Sequence, residues 1–202
     1  MNPKSSLFLF ILCCLSLSVF SKSYPNLYEK MKEVNAQWAF QEDIPSGVYE
    51  MAPVLNETKA IQTHLKLVEE TLRKRSVSHL SPAQQKNRIV CLDLLQGYQK
   101  AGKFPENSYL PYRNPVFIDK HNTFCAVGYL VKETGYESVS REISQTQNFA
   151  YVYGIKHETL PKWAEMNGFT LAELAWIQPG YPPVHPTSSM DSGLGGTVYD
   201  IL

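Results

Sequence analysis

An acid, an imidazole and a thiol fall within seven residues at Asp119, His121 and Cys125, inside the run PVFIDKHNTFCAVGYL from Pro115 to Leu130. A polar stretch followed by an apolar one reads as a turn that feeds a helix. If Asn122 or Thr123 caps that helix, Cys125 sits in its first turn, where unpaired amides and the helix dipole favour a thiolate. His121 would then serve as the base and Asp119 would orient the imidazole, which is the logic of a thiol-dependent hydrolase or transferase. Two other readings fit the same residues. Cys125 can pair with Cys91 in a disulfide, or it can pack as a small apolar side chain while Asp119 closes its own turn and His121 is solvated. Nucleophile and base ordinarily come from separate segments, so the catalytic reading is the weaker one.

Other chemistries find less support. The histidines, His64, His79, His121, His157 and His185, are scattered, and none has a second histidine at ligand spacing on one helix, so no metal site and no cofactor are predicted. His64 reads as a partly buried or solvated side chain. Paired carboxylates could cleave glycans, but Glu69 and Glu70 are adjacent and point to different sides of a helix, while Glu133 and Glu137 straddle Gly135. A solvated helix face explains them better. The run Gly168 to Gln178 has the look of the first helix of a helix-turn-helix, yet the PGYPP run from Pro179 forbids the recognition helix that would follow. Tyr109, Tyr112, Tyr151, Tyr153 and Tyr181 could line a carbohydrate or peptide groove, or pack at the core and its rim.

The elements that must position these residues are mostly helical. Leu27, Met31, Val34 and Trp38 at helical spacing predict a helix over Asn26 to Phe40. Asn56 is the cap of a long helix whose stripe is Ile61, Leu65, Val68 and Leu72. Ser81, Pro82 and Gln84 form a capping box with proline at the first helical position. The helix they open runs to about Lys100, with Ile89, Leu92 and Leu95 inward, Cys91 beside the stripe and Gly102 closing it. Val116 to Ile118 and Phe149 to Tyr153 read as short strands. Helices are predicted for Ala126 to Glu133, closed by Gly135, for Ser138 to Ser144 and for Pro161 to Asn167. Thr170 and Glu173 box the last one before Pro179 halts it.

The first 23 residues read as a secretory signal peptide: Lys4, an apolar run from Leu7 to Val19, and small residues at Val19, Ser21 and Ser23. The apolar run is too short to span a bilayer. Cys13 and Cys14 lie in it, but Leu12 stands where a lipoprotein signal wants a small residue, so plain cleavage is favoured over lipidation. Cleavage removes Lys4 and Lys22, leaving 17 basic against 19 acidic residues, a net charge of about −2. Such a chain has no electrostatic footprint for nucleic acid. About 179 residues remain, enough for one domain with a sizeable core.

Phe117-Ile118-Asp119, Thr123, Cys125-Ala126-Val127-Gly128-Tyr129-Leu130 and Ile177-Gln178-Pro179-Gly180-Tyr181 resemble the shared motifs of a family of uncharacterised exported bacterial proteins. The resemblance spans about Arg88 to Pro183, roughly half the chain. It implies a bacterial source, a secreted or periplasmic location, and membership of Asp119, Cys125 and Gln178 in common motifs; it supplies no catalytic role. Relatives carry Gly where this chain has Asn122, and both tolerate a left-handed turn. They need not keep His121.

The predicted architecture is therefore mainly α: a signal peptide over 1–23, a single helical domain over 24–181 with one or two short strand pairs, and a flexible Pro/Ser/Gly-rich tail over 182–202. The predicted function is binding or interaction in the bacterial envelope or outside the cell, with an envelope protein or glycan as partner. The alternative is the thiol enzyme built on Cys125, His121 and Asp119.

Overall fold

A computed structural model describes residues 26–53 and 55–182. The predicted leader, both candidate lipidation cysteines and all of the predicted tail beyond Pro182 lie outside these residues. The described part is mainly helical. Helix α1 spans Leu27–Val34, α2 Glu57–Lys74, α3 Pro82–Ala101, α4 Ala126–Val131, α5 Glu137–Gln147, α6 Thr159–Met166 and α7 Leu171–Ile177. None of them is long and apolar enough to cross a membrane.

Local sequence sets most of these boundaries. The Asn56 side chain accepts from the Lys59 amide at 2.9 Å and starts α2, while both arms of the Ser81 to Gln84 box are made at the start of α3. Gly102 closes α3 in the left-handed region at φ 64°, a conformation nearly free of cost only to glycine. Ile61, Leu65, Val68 and Leu72 of α2 pack with Leu92, Leu95 and Tyr98 of α3 in one core. The inward stripe of α3 is rotated from the predicted one. Ile89 is 46% exposed and Arg88 takes the inward position, at 3%. The reason is a forked ion pair: Arg88 donates to both oxygens of Glu173 at 2.8 and 2.9 Å, and to the Gly168 carbonyl at 2.6 Å. It ties α3 to the glutamate of the α7 capping box.

The single helix predicted for Asn26 to Phe40 is broken at Asn35, where φ is −152°. Tertiary bonding overrides the local pattern. The buried Asn35 Nδ2 donates to the carbonyls of Ala175, Trp176 and Gln178 at 2.7 to 2.9 Å, and its Oδ1 accepts from the Gln37 amide at 2.8 Å. A tight 3₁₀ turn over Ala36–Phe40 follows, carrying the buried Trp38.

The predicted strand pairs are not formed. Among the described residues there are two isolated antiparallel bridges, Asn26 with Met51 and Ile118 with Phe124. The extended run at Val116 to Ile118 is satisfied by one asparagine instead. The Phe117 amide donates to the Asn148 carbonyl at 2.8 Å, and the Asn148 side chain bonds both backbone groups of Ile118 at 2.9 and 3.0 Å. The strand predicted for Phe149 to Tyr153 is not formed, and its end runs into a 3₁₀ turn over Val152–Gly154. Helix α4 passes through a wide π-type turn over Lys132–Tyr136, bent at Gly135 (φ 92°), into α5.

Candidate functional site

The three residues singled out for chemistry all line a cleft of about 710 Å³. Ile61 and Thr58 near the start of α2, Tyr98 near the end of α3, Phe104 and Pro105 in the loop beyond, and Gln178 to Tyr181 beyond α7 complete its wall. Four chain segments thus end or begin around one space.

Asp119 holds the turn that begins the site. Its Oδ1 accepts from the amides of His121 and Thr123, both at 2.8 Å, and its Oδ2 accepts from the Glu106 amide at 3.0 Å. Burial alone would raise its carboxyl pKa, but these amides more than offset that and hold it below the ordinary carboxylate value. Asn122 takes the left-handed corner at φ 61°, as the sequence allows. The His121 ring is exposed, and it makes no hydrogen bond among the described residues. Asp119 orients backbone amides rather than the imidazole.

Cys125 is the cap of α4 rather than a residue of its first turn: its backbone is still extended (φ −66°, ψ 170°), and its amide donates to the Phe117 carbonyl at 2.8 Å. Its Sγ accepts from the Gly128 amide at 3.3 Å. Burial pushes the thiol up to about 12, and the amides of Gly128 and Val127 and the Gln178 side chain recover only part of that. A Cβ at Gly128 would come within 2.9 Å of the Phe117 ring and 3.3 Å of Cys125 Sγ, so this helix start is packed for glycine.

The predicted disulfide is not formed: Cys91 and Cys125 are both free and buried. Tyr98, whose hydroxyl donates to the Phe124 carbonyl at 2.8 Å, is the α3 residue that reaches the Cys125 turn. Cys91 lies about two helical turns earlier on α3, and its thiol is directed to a different neighbour. It faces Asn167 Oδ1 at 3.7 Å instead.

Residues that local reading missed build the cleft mouth. Arg113 donates to both oxygens of Glu57 at 2.9 and 3.0 Å, and its guanidinium stacks on Tyr181, 4.1 Å from the ring centroid. The Tyr181 hydroxyl also donates to Glu57, at 3.0 Å. Burial, then the Glu57 charge, push that phenol above its ordinary value. Tyr181 was legible as an aromatic near the site. Glu57, 124 residues away from it, had no local signal.

Elsewhere, Glu69 departs from the solvated face predicted for it: it is 3% exposed and ion-paired to Arg73. His64 is not partly buried or solvated but fully enclosed, with Nδ1 accepting from the Trp38 indole at 2.8 Å. Among the described residues, no three His, Cys, Asp or Glu side chains come together as a metal site.

Set beside known proteins, the chain matches no family model, no curated protein and no solved structure.

Proposed function

We propose that this chain is an exported binding domain of the bacterial envelope or extracellular space, and that the cleft between α2, α3 and the Gln178 to Tyr181 segment receives its ligand. The observation that carries this reading is the use to which the cleft's polar atoms are put. Asp119 is spent on three amides and Cys125 caps a helix with a thiol pushed up to about 12. Arg113 and Glu57 neutralise each other. A thiol nucleophile needs a lowered pKa and a base within hydrogen-bond reach, whereas a binding cleft needs a fixed shape with apolar walls and a few placed polar groups. Ile61, Tyr98, Phe104 and Ala126 supply such walls. Export rests on the leader pattern of residues 1–23.

The test is affinity capture from an envelope extract on immobilised wild type and on Thr58→Trp, which places a large ring from an exposed helix position into the cleft. A protein or glycan retained by wild type and lost with Thr58→Trp is the expected result. Equal retention on both, or none on either, would sink the reading.

A further inference from the structure

A second surface adjoins the cleft on its outer side. Tyr109, Tyr112, Phe149 and Tyr151, none of which lines the cleft, are 38 to 50% exposed. Singly exposed aromatics are ordinary, but contiguous ones mark interaction sites. Two segments build this one. The Tyr109 and Phe149 rings meet edge to face with centroids 5.5 Å apart, and Asn114 Nδ2 donates to the Phe149 carbonyl at 3.0 Å. Tyr151 lies two residues beyond Phe149, and Tyr112 is close enough to raise the Tyr151 phenol further, after burial.

The rings are held outward by bonds through the backbone. Asn107 Oδ1 accepts from the amides of Tyr109 and Leu110 at 3.2 and 3.0 Å, and its Nδ2 donates to the Tyr112 carbonyl at 2.6 Å. Tyr151 donates to the Tyr181 carbonyl at 2.9 Å, which fixes its ring against Gly180. The two side-chain amides that a ligand might have used, those of Asn107 and Asn114, are therefore engaged. So is Arg113 of this loop, which is paired with Glu57.

What remains for a ligand is ring faces and the hydroxyls of Tyr109 and Tyr112, which have no hydrogen-bond partner among the described residues. That inventory is uncharged and mostly apolar, with two hydroxyls able to donate. An oligosaccharide presents adjacent hydroxyls that call for carboxylate and amide partners, and here those are consumed. A polyproline II segment is the better complement: it presents pyrrolidine rings and unpaired carbonyl acceptors, lacks most N–H donors, and is already extended before it binds.

We propose that the Tyr109, Tyr112, Phe149 and Tyr151 surface recognises proline-rich extended peptide segments. The four rings lie outside the cleft, across a wall that Asn107, Arg113, Asn114 and Tyr181 share with it, and the proposal does not depend on the cleft reading. Pro182, Pro183 and Pro186 show that this chain itself carries such a sequence, and that stretch supplies a probe.

The experiment titrates fluorescein-labelled decaproline, and a labelled peptide with the sequence of residues 182–187, into the full mature chain and follows anisotropy. Wild type should bind both saturably. Tyr109→Ser with Tyr112→Ser should bind at least about tenfold more weakly, as loss of aromatic anchors does, with an unchanged circular dichroism spectrum. Tyr109→Phe with Tyr112→Phe keeps the rings, loses the donors, and should fall between. Thr58→Trp should bind as wild type does, so failure of the cleft reading leaves this titration intact. The proposal is overturned if wild type binds neither peptide saturably or if the serine double variant binds as well as wild type. It is equally overturned if Thr58→Trp abolishes binding, which would put the peptide in the cleft, or if cellohexaose displaces the label.

Discussion

Acid should destabilise this fold through one buried ring from about pH 6.5 downward. The His64 ring is completely enclosed, and its Nδ1 accepts the Trp38 indole hydrogen bond, so the neutral ring carries its proton on Nε2. Nε2 is directed toward the carbonyls of Trp176 and Ile177 without a well-formed bond. Burial dominates and lowers its pKa to about 4 from the ordinary 6.5. The sign follows from proton counting. Above pH 6.5 the ring is neutral in both folded and unfolded chains and has no effect on the balance. Between 6.5 and 4 the unfolded chain takes up a proton that the folded one refuses. Stability therefore falls by up to about 1.4 kcal/mol per pH unit, to a total loss of about 3 kcal/mol at pH 4. That is a large part of the 5–15 kcal/mol typical of a domain. Asp43, Asp119 and Glu173 are all held below their ordinary values of 3.8, 3.8 and 4.5, so their contributions begin to be lost only at the acid end of this window, Glu173 first, and the interval from pH 6.5 to about 5 reports the ring. Urea unfolding followed by tryptophan fluorescence at pH 7, 6, 5 and 4.5 measures the slope, since Trp38, Trp163 and Trp176 are all buried. His64→Asn, whose Oδ1 can still accept from the indole, should be less stable at pH 7 because it leaves a void, yet nearly flat across the window. Parallel pH profiles for wild type and His64→Asn would refute the reasoning.

Two further outcomes bear on the helix that carries the cleft's thiol. Gly128→Ala gains about 1 kcal/mol of helix propensity but drives a methyl to 2.9 Å from Phe117. Overpacking at about 1–3 kcal/mol should win, and an unchanged or raised urea midpoint would show that the Phe117 ring yields instead. Iodoacetamide should label neither Cys91 nor Cys125 in the folded chain and both in denaturant without any reductant, because both are free and burial raises each thiol to about 12. Intact mass reads the result; rapid labelling of one thiol in the folded state would revive the enzyme reading, and labelling that required reductant would restore the disulfide.

The parts of this fold that were legible are those whose signal is local. Asn56, Ser81 with Gln84, and Thr170 with Glu173 each satisfy amides within three residues, so the starts of α2, α3 and α7 could be read from the chain. The parts that were not legible answer to partners far away in sequence. Asn35 breaks a helix of sound periodicity because three carbonyls about 140 residues on need its amide. Cys125 caps α4 in place of the better capping types Asn122 and Thr123, because the Phe117 carbonyl and the Asp119 carboxylate have already fixed the turn around those two. Arg88 turns α3 off its most apolar stripe for the sake of Glu173.

The same distant bonds decide what the cleft can do. Gln178 joins them: its carbonyl accepts from Asn35 at 2.7 Å, while its buried side chain reaches Cys125. The end of α7, the break after α1 and the start of α4 are thus locked together through Asn35, Gln178 and Cys125. A group that acts as base or nucleophile must release and regain a proton, which requires a partner free to change. Here the buried polar atoms facing the cleft, Asp119, Cys125 and the Tyr98 hydroxyl, each already serve a backbone amide or carbonyl. Unmaking one of those bonds would leave a buried backbone group unpaired, at a cost of about 1–3 kcal/mol. Rigid walls with committed polar atoms suit recognition by shape more than proton transfer, and the exposed His121 lines the same cleft without a side-chain hydrogen bond among the described residues.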